Sequence, residues 1–171
     1  MKDRDIVTTP EWVTRFLLDR EVFVGNVLEP CCGNGDISKV LKERNYNVLS
    51  SDIRDTGYGD VVDLFSLDKE YDNIITNPPF SIASKVKRHL LSITKNKLAL
   101  LWFVKGLGNE VETKEVKHLK DVYILGKVDF PEVKFGWKFA WYVWDKNYTG
   151  EVRVYKPIDS PTQESSTKEK I

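Results

Sequence analysis

The chain has 171 residues, 41% of them apolar and 12% aromatic, enough for one well-buried core and too few for two ordinary domains. Its 26 basic and 26 acidic residues cancel, which excludes the overall positive charge of a nucleic-acid coat protein and leaves any polyanion partner to a local patch. No stretch approaches the ~20 apolar residues of a bilayer-spanning helix, and MKDRDIVTTP lacks the apolar core of a secretion signal, so a cytoplasmic protein is expected.

VGNVLEPCCGNG reads as a strand closing on a turn, and DISKVLKERN sets Ile37, Val40 and Leu41 at helical spacing with Asn45 as the stop. The adjacent cysteines, Cys31 and Cys32, have no C-x-x-C or His-rich context, and no metal is expected. YNVLSSDI is a second strand, and GDVVDLF a weak third resting on its valines. YDNIITNPPF is a fourth, followed by SIASKVKRHLLSITKN with Ile82, Val86, Leu90 and Ile93 on one helix face. KLALLWFVK has the unbroken apolar character of a strand buried on both faces. ETKEVKHLKDV reads as a short helix, and YILGKVDFPEVKFGWKFAWYVWDK as an antiparallel hairpin at a sheet edge. In its second strand Phe139, Trp141 and Val143 share one face and Ala140, Tyr142 and Trp144 the other, mostly as core. The stretch 157–171 has the composition of a disordered tail, which leaves 1–156 as the domain. The expected fold is α/β: a single Rossmann-like, doubly wound, mostly parallel sheet with an antiparallel C-terminal hairpin and ligands at the carboxyl ends of its strands.

The loop from Glu29 through Pro30 to Gly35 follows a strand and opens a helix, with Gly33 and Gly35 permitting close backbone approach. A dinucleotide fingerprint would need glycine at 38, where Ser38 stands, and no phosphate-binding G-x-x-x-x-G-K-[ST] occurs. Asp52, at the end of the second strand beside Ile53, is placed to accept from a ribose diol. Asp63, beside Leu64, is placed to accept from an adenine amino group.

These motifs resemble the Rossmann-like S-adenosylmethionine-dependent methyltransferases, and NPPF is similar to that of the enzymes that modify adenine N6 in nucleic acid. The resemblance covers roughly residues 6–146: TTPEWVTRFLL, LEPCCGNG, SSDI, VVDLF and NPPF, in that order. It implies S-adenosylmethionine as cofactor, with Thr9, Pro10, Glu29 and Gly33 near its methionine part, Asp52 on the ribose, Asp63 with Leu64 at the adenine, and Pro30, Gly35, Ile53 and Asn77 also at the cofactor site. A hairpin after the sixth strand resembles the family's segment closing over the target base, so Phe135, Gly136 or Trp137 is expected there.

At Asn77-Pro78-Pro79-Phe80 the chemistry can be read from the residues. An adenine amine is a poor nucleophile because its lone pair is delocalised into the ring. The Asn77 side-chain carbonyl and the Pro78 backbone carbonyl can each accept one amino hydrogen and return electron density to nitrogen. Proline rings at 78 and 79 hold these acceptors rigid, and Phe80 can stack on a base drawn out of its duplex. Positions 81–105 hold Lys85, Lys87, Arg88, Lys95, Lys97 and Lys105 and no acid; Lys85, Lys87, Arg88 and Lys105 are the expected phosphate contacts, with Trp137 at the nucleic acid. The chain lacks the separate target-recognition domain usual in the DNA enzymes. Weak sequence specificity, help from a partner subunit or an already single-stranded substrate is therefore expected; the exposed-looking aromatic hairpin leaves a homodimer open, and the brevity suits a viral or mobile-element origin. DNA is the preferred substrate; RNA, or a non-catalytic cofactor- or nucleic-acid-binding partner subunit, is the alternative.

Overall fold

The short apolar runs become strands, and the i, i+3, i+4 patterns become helices. The computed structural model describes residues 7–106, 116, 118–126, 128 and 138–158. In chain order the elements are α1 (Glu11–Leu18), β1 (Val27–Glu29), α2 (Asp36–Glu43), β2 (Val48–Asp52), β3 (Asp60–Val61), β4 (Tyr71–Thr76), α3 (Ala83–Ser92), β5 (Thr94–Phe103), β6 (Leu119–Leu125), β7 (Phe139–Asp145) and β8 (Arg153–Ile158). Helix α2 stops where expected: Asn45 takes the left-handed conformation, φ 64°, which asparagine tolerates better than most residues.

All eight strands form one sheet in the order β3-β2-β1-β4-β5-β7-β6-β8. Neighbours from β3 to β5 pair in parallel. β7 inserts antiparallel between β5 and β6, and β8 returns parallel to β6. The order reverses between β1 and β4, so a crevice opens at their carboxyl ends. On one face, Phe16 and Leu17 of α1 and Ile37 and Leu41 of α2 pack on Val27, Ile75 and Leu101. On the other, Val86 and Leu90 of α3 pack on Leu28, Ile74 and Leu98.

β7 divides its side chains between these two layers as expected: Phe139, Trp141 and Val143 in one, Ala140, Tyr142 and Trp144 in the other. All six are 0–1% exposed, so the side chains of β7 are interior on both faces. The hairpin does not form the sheet edge, because β8 pairs outside β6. β8 runs through Pro157 and Ile158, the first residues of the stretch expected to be disordered; 159–171 lie outside the described residues. The helix expected over ETKEVKHLKDV gives way by Leu119 to β6, whose apolar side chains fill the core.

Charges tie the amino ends of the strands together. Buried Glu21 accepts from Lys97 Nζ at 2.7 Å, Lys120 Nζ at 3.1 Å and the Tyr123 hydroxyl at 2.9 Å. Asp121 accepts from Arg153 Nε at 2.7 Å and Nη2 at 2.8 Å, fastening β8 to β6. No helix among the described residues is long and apolar enough to cross a membrane.

Candidate functional site

A cavity of about 300 Å³ lies at the carboxyl ends of β1, β2 and β4, the size and place of a small-molecule site in an open α/β sheet. Thr9, Glu29, Pro30, Gly33, Asp52, Ile53, Asp63, Leu64 and Asn77, all expected at a cofactor site, line it, as does Pro79. The sheet thus brings together five segments separated in the chain by up to 70 residues, roughly the span from Thr9 to Pro79.

Glu29 ends β1 and is 1% exposed. Its carboxyl group accepts a hydrogen bond from the Ser38 hydroxyl, which lies 2.7 Å from Ser50 Oγ. Ser38 is therefore a buried partner of the loop's acid, where a dinucleotide site would need close-packing glycine. Burial pushes the Glu29 carboxyl up to about 8, opposed by the Ser38 hydrogen bonds and reinforced by Asp36 and Asp52. Both cysteines remain thiols, desolvation pushing Cys31 up to about 12 and Cys32 to about 11.

Asp52 is 5% exposed. Its Oδ2 accepts from Gly33 N at 3.0 Å and Arg54 Nη2 at 3.2 Å, and its Oδ1 from Arg54 N and Nε, each at 3.0 Å. Burial would raise this carboxyl, but the Arg54 guanidinium and the backbone donors outweigh it and hold it below its ordinary value. Asp63 spends Oδ1 on Phe65 N at 2.9 Å, capping the 3-10 turn Leu64–Ser66. Arg54, Asp36 and Phe65 also line the cavity. Sequence reading missed them, although Arg54 stands two residues from an acid at a strand end.

Two expected cofactor residues lie elsewhere. Gly35 does not line the cavity: it caps α2 at φ 83°, and a Cβ there would come within 2.4 Å of the Tyr58 ring. Close approach of the 53–59 turn explains this glycine, and Thr56 Oγ1 reinforces that approach by donating to Gly33 O at 2.6 Å. Pro10 is the N-cap of α1 and accepts from Val13 N at 3.0 Å.

Asn77 follows β4. Its Nδ2 donates to Thr9 Oγ1 at 3.1 Å, while its buried Oδ1 has no partner among the described residues. Thr9 also donates its N–H to Asp36 Oδ2 at 3.2 Å, so one residue ties the start of α2 to the NPPF turn. Pro78 is buried and, unlike Asn77 and Pro79, does not line the cavity. Phe80 is half-buried and meets Phe103 at 4.3 Å and Phe139 at 5.5 Å between ring centroids. In this structure its ring is part of an aromatic cluster joining both core layers, and it does not line the cavity.

The acid-free run does not fold into one basic patch. Lys87 is 2% exposed because it shares the buried stripe of α3 with Ala83, Val86, Leu90 and Leu91; its assignment to phosphate is corrected. Lys97 is held by Glu21 and Lys95 lies 3.8 Å from Asp72, both at the opposite end of the sheet. Lys120, at the start of β6, is there too, on Glu21. Lys85, Arg88 and Lys105 remain exposed, and Lys85 Nζ sits 4.3 Å over the Phe65 ring at the cavity wall. Phe135, Gly136 and Trp137 lie outside the described residues.

No protein-family model and no curated protein sequence matches this chain. Solved structures match its fold. A type I restriction-modification methyltransferase subunit from Streptococcus thermophilus superposes with TM-score 0.65 at 14% identity, over 90% of this chain and 47% of the other. A putative RNA methyltransferase from Pyrococcus horikoshii gives 0.60 at 15% identity, over 80% and 79%. Magnesium protoporphyrin IX methyltransferase from Synechocystis, solved with S-adenosylmethionine bound, gives 0.55 at 19% identity, over 79% and 76%. The chain spans about half the length of the restriction-modification subunits it matches. Its fold is that of the Rossmann-like methyltransferases.

Proposed function

We propose that this protein is an S-adenosylmethionine-dependent methyltransferase whose acceptor is the exocyclic N6 amine of adenine in DNA, with residues 1–156 as its catalytic domain. The observation that carries the reading is the buried, unpartnered Oδ1 of Asn77 on the NPPF turn, beside a cavity lined by Glu29, Asp36, Asp52 and Asp63 against one guanidinium, Arg54. A buried acceptor without a donor is costly, and a target amine supplies two donors. The cavity's charge favours a cationic ligand over a nucleotide phosphate. Its residues fit S-adenosylmethionine: Glu29 and Thr9 at the amino-acid part, Asp52 at the ribose, and Asp63 and Leu64 at the adenine. That cofactor supplies an electrophilic methyl carbon on a sulfonium.

Asn77 Oδ1 accepts one amino hydrogen of the base, and Thr9 fixes the amide by accepting from its Nδ2. The Pro78 carbonyl accepts the other hydrogen, so the nitrogen lone pair is turned toward the methyl carbon. Transfer to that nitrogen would leave the donor sulfur as a neutral thioether, and the amine proton would pass to solvent. Phe80, seated among Phe103 and Phe139, stacks on the base only if that cluster opens. Lys85, Arg88 and Lys105 meet phosphates. A partner subunit or a second copy supplies sequence specificity, and the setting is cytoplasmic.

The test is transfer of labelled methyl from S-adenosylmethionine to equal masses of DNA and RNA, with nucleoside analysis. N6-methyladenine in DNA is expected. Its appearance in RNA alone would move the substrate to RNA, and its absence from both would sink the reading. Asn77→Ala is expected to cut transfer by on the order of 100-fold or more while calorimetry shows cofactor still bound. An undiminished rate would remove Asn77 from the transfer step, whereas lost transfer with an unchanged biological effect would favour a non-catalytic binding role.

A further inference from the structure

Glu29 is set apart from the other buried carboxyls of this molecule. Glu21 has Lys97 and Lys120, Asp121 has Arg153 and Lys120, and Asp52 has Arg54. Glu29, at 1% exposure, has the hydroxyl of Ser38 and no cationic partner among the described residues. The charged groups packed around it are adverse or already committed. Asp36 on α2 and Asp52 on β2 both add negative potential to it, and Arg54 is engaged by Asp52. Ser38 and Ser50 provide only dipoles, and Cys31 and Cys32 stay neutral. Yet Glu29 lines the cavity. A buried charge without a counter-ion is costly enough that such a group takes up a proton, and burial does push this carboxyl up to about 8.

We propose that Glu29 reads the positive charge of the ligand: the ligand's ammonium pairs with this carboxyl at the end of β1, and its arrival expels one proton to solvent. The proposal rests on the methyl-donor reading and extends it to how the site selects its ligand. The proton balance is simple, since Glu29 passes from carboxylic acid to carboxylate while the ammonium keeps its protons. Affinity must then rise with pH wherever the empty site is protonated. The expected slope is close to tenfold per pH unit below about pH 7, levelling near 8. A ligand of the same shape without the ammonium has no means of releasing the proton.

The experiment is calorimetric titration of the full chain with S-adenosylmethionine and, separately, its demethylated product. Titrations run from pH 5.5 to 7, below the range in which an α-amino group ordinarily titrates. Each pH uses two buffers of different ionisation enthalpy, so that the difference in heat counts protons. Release of about one proton per ligand is expected from the wild-type chain, and about none from the isosteric Glu29→Gln, whose affinity should be flat in pH. Binding with equal heats in both buffers and no pH slope would overturn the proposal and leave the methyl-donor reading standing. A proton release that persists in Glu29→Gln would assign it to another group and overturn the proposal likewise. No binding of either ligand by the wild-type chain would overturn the methyl-donor reading, and the proposal with it. The wild-type measurement stands even if the variant fails to fold.

Discussion

Asp52 is met by four donors of its own chain, three of them from Arg54. A ribose diol needs those lone pairs, so the guanidinium must yield them. Arg54→Gln is therefore expected to bind cofactor more tightly, by up to roughly fivefold, since a partly exposed ion pair contributes only about 1 kcal/mol. Asp52→Ala should weaken binding by at least about tenfold, and calorimetry compares both with the wild-type chain. Glu29 carries a second consequence in the empty protein. Its raised carboxyl binds a proton in the folded state that the unfolded chain gives up, so stability falls as pH rises from about 4.5 to about 8. Melting curves at pH 5 and 8 should show Glu29→Gln more stable than wild type at the higher pH. Gly35→Ala should destabilise by roughly 1–3 kcal/mol in denaturant titration, because the left-handed backbone and the Tyr58 ring both exclude a methyl group. The placing of Asp52 and Asn77 at one cavity was legible in the sequence because each ends an apolar strand that follows or adjoins the glycine-loop strand in a parallel sheet. Arg54, Ser38 and Tyr58 were not, since their roles arise only when the turn after β2 folds over the glycine loop.

Among the elements, α3 shows why a run of like charges in sequence misleads. A helix turns 100° per residue, so Lys87 enters the core while Lys85 and Arg88 face water. The chain then crosses to the far end of the sheet before Lys95 and Lys97 appear. Lys85→Ala and Arg88→Ala are each expected to lower nucleic-acid affinity and reduce its salt slope by about one, read by binding titration at several salt concentrations. At that far end Glu21 holds α1's exit to β5 and β6. Glu21→Ala leaves Lys97 and Lys120 without it and should cost about 3 kcal/mol. The Asp121 carboxyl, which burial would raise, is brought down to about 2 by Arg153 and Lys120. Its contribution to stability is present above its ordinary value near 4 and is lost as pH falls toward about 2. Acid unfolding followed by circular dichroism should therefore shift upward in pH in Arg153→Ala.

For the molecule as a whole, the parallel half was legible because apolar strands alternate with turn-and-helix segments from Val27 to Phe103. The late strands were harder. β8 has Arg153, Tyr155 and Lys156 exposed and carries a proline, which disguises it as linker, although an edge strand tolerates both features. β7 reads as an outer hairpin strand because its nearest partner in sequence is β6, yet it lies between β5 and β6. That placement fixes an order of assembly. Residues 7–103 leave the ribosome with their cavity segments complete but with one flank of β5 unmated. β6, emerging next, has neither of its partners. Only when 139–145 slide between them does the sheet close, burying Trp141 and Trp144 last. Until that moment a chain folding in the order of its synthesis presents two open strand edges, each a place where another chain could pair.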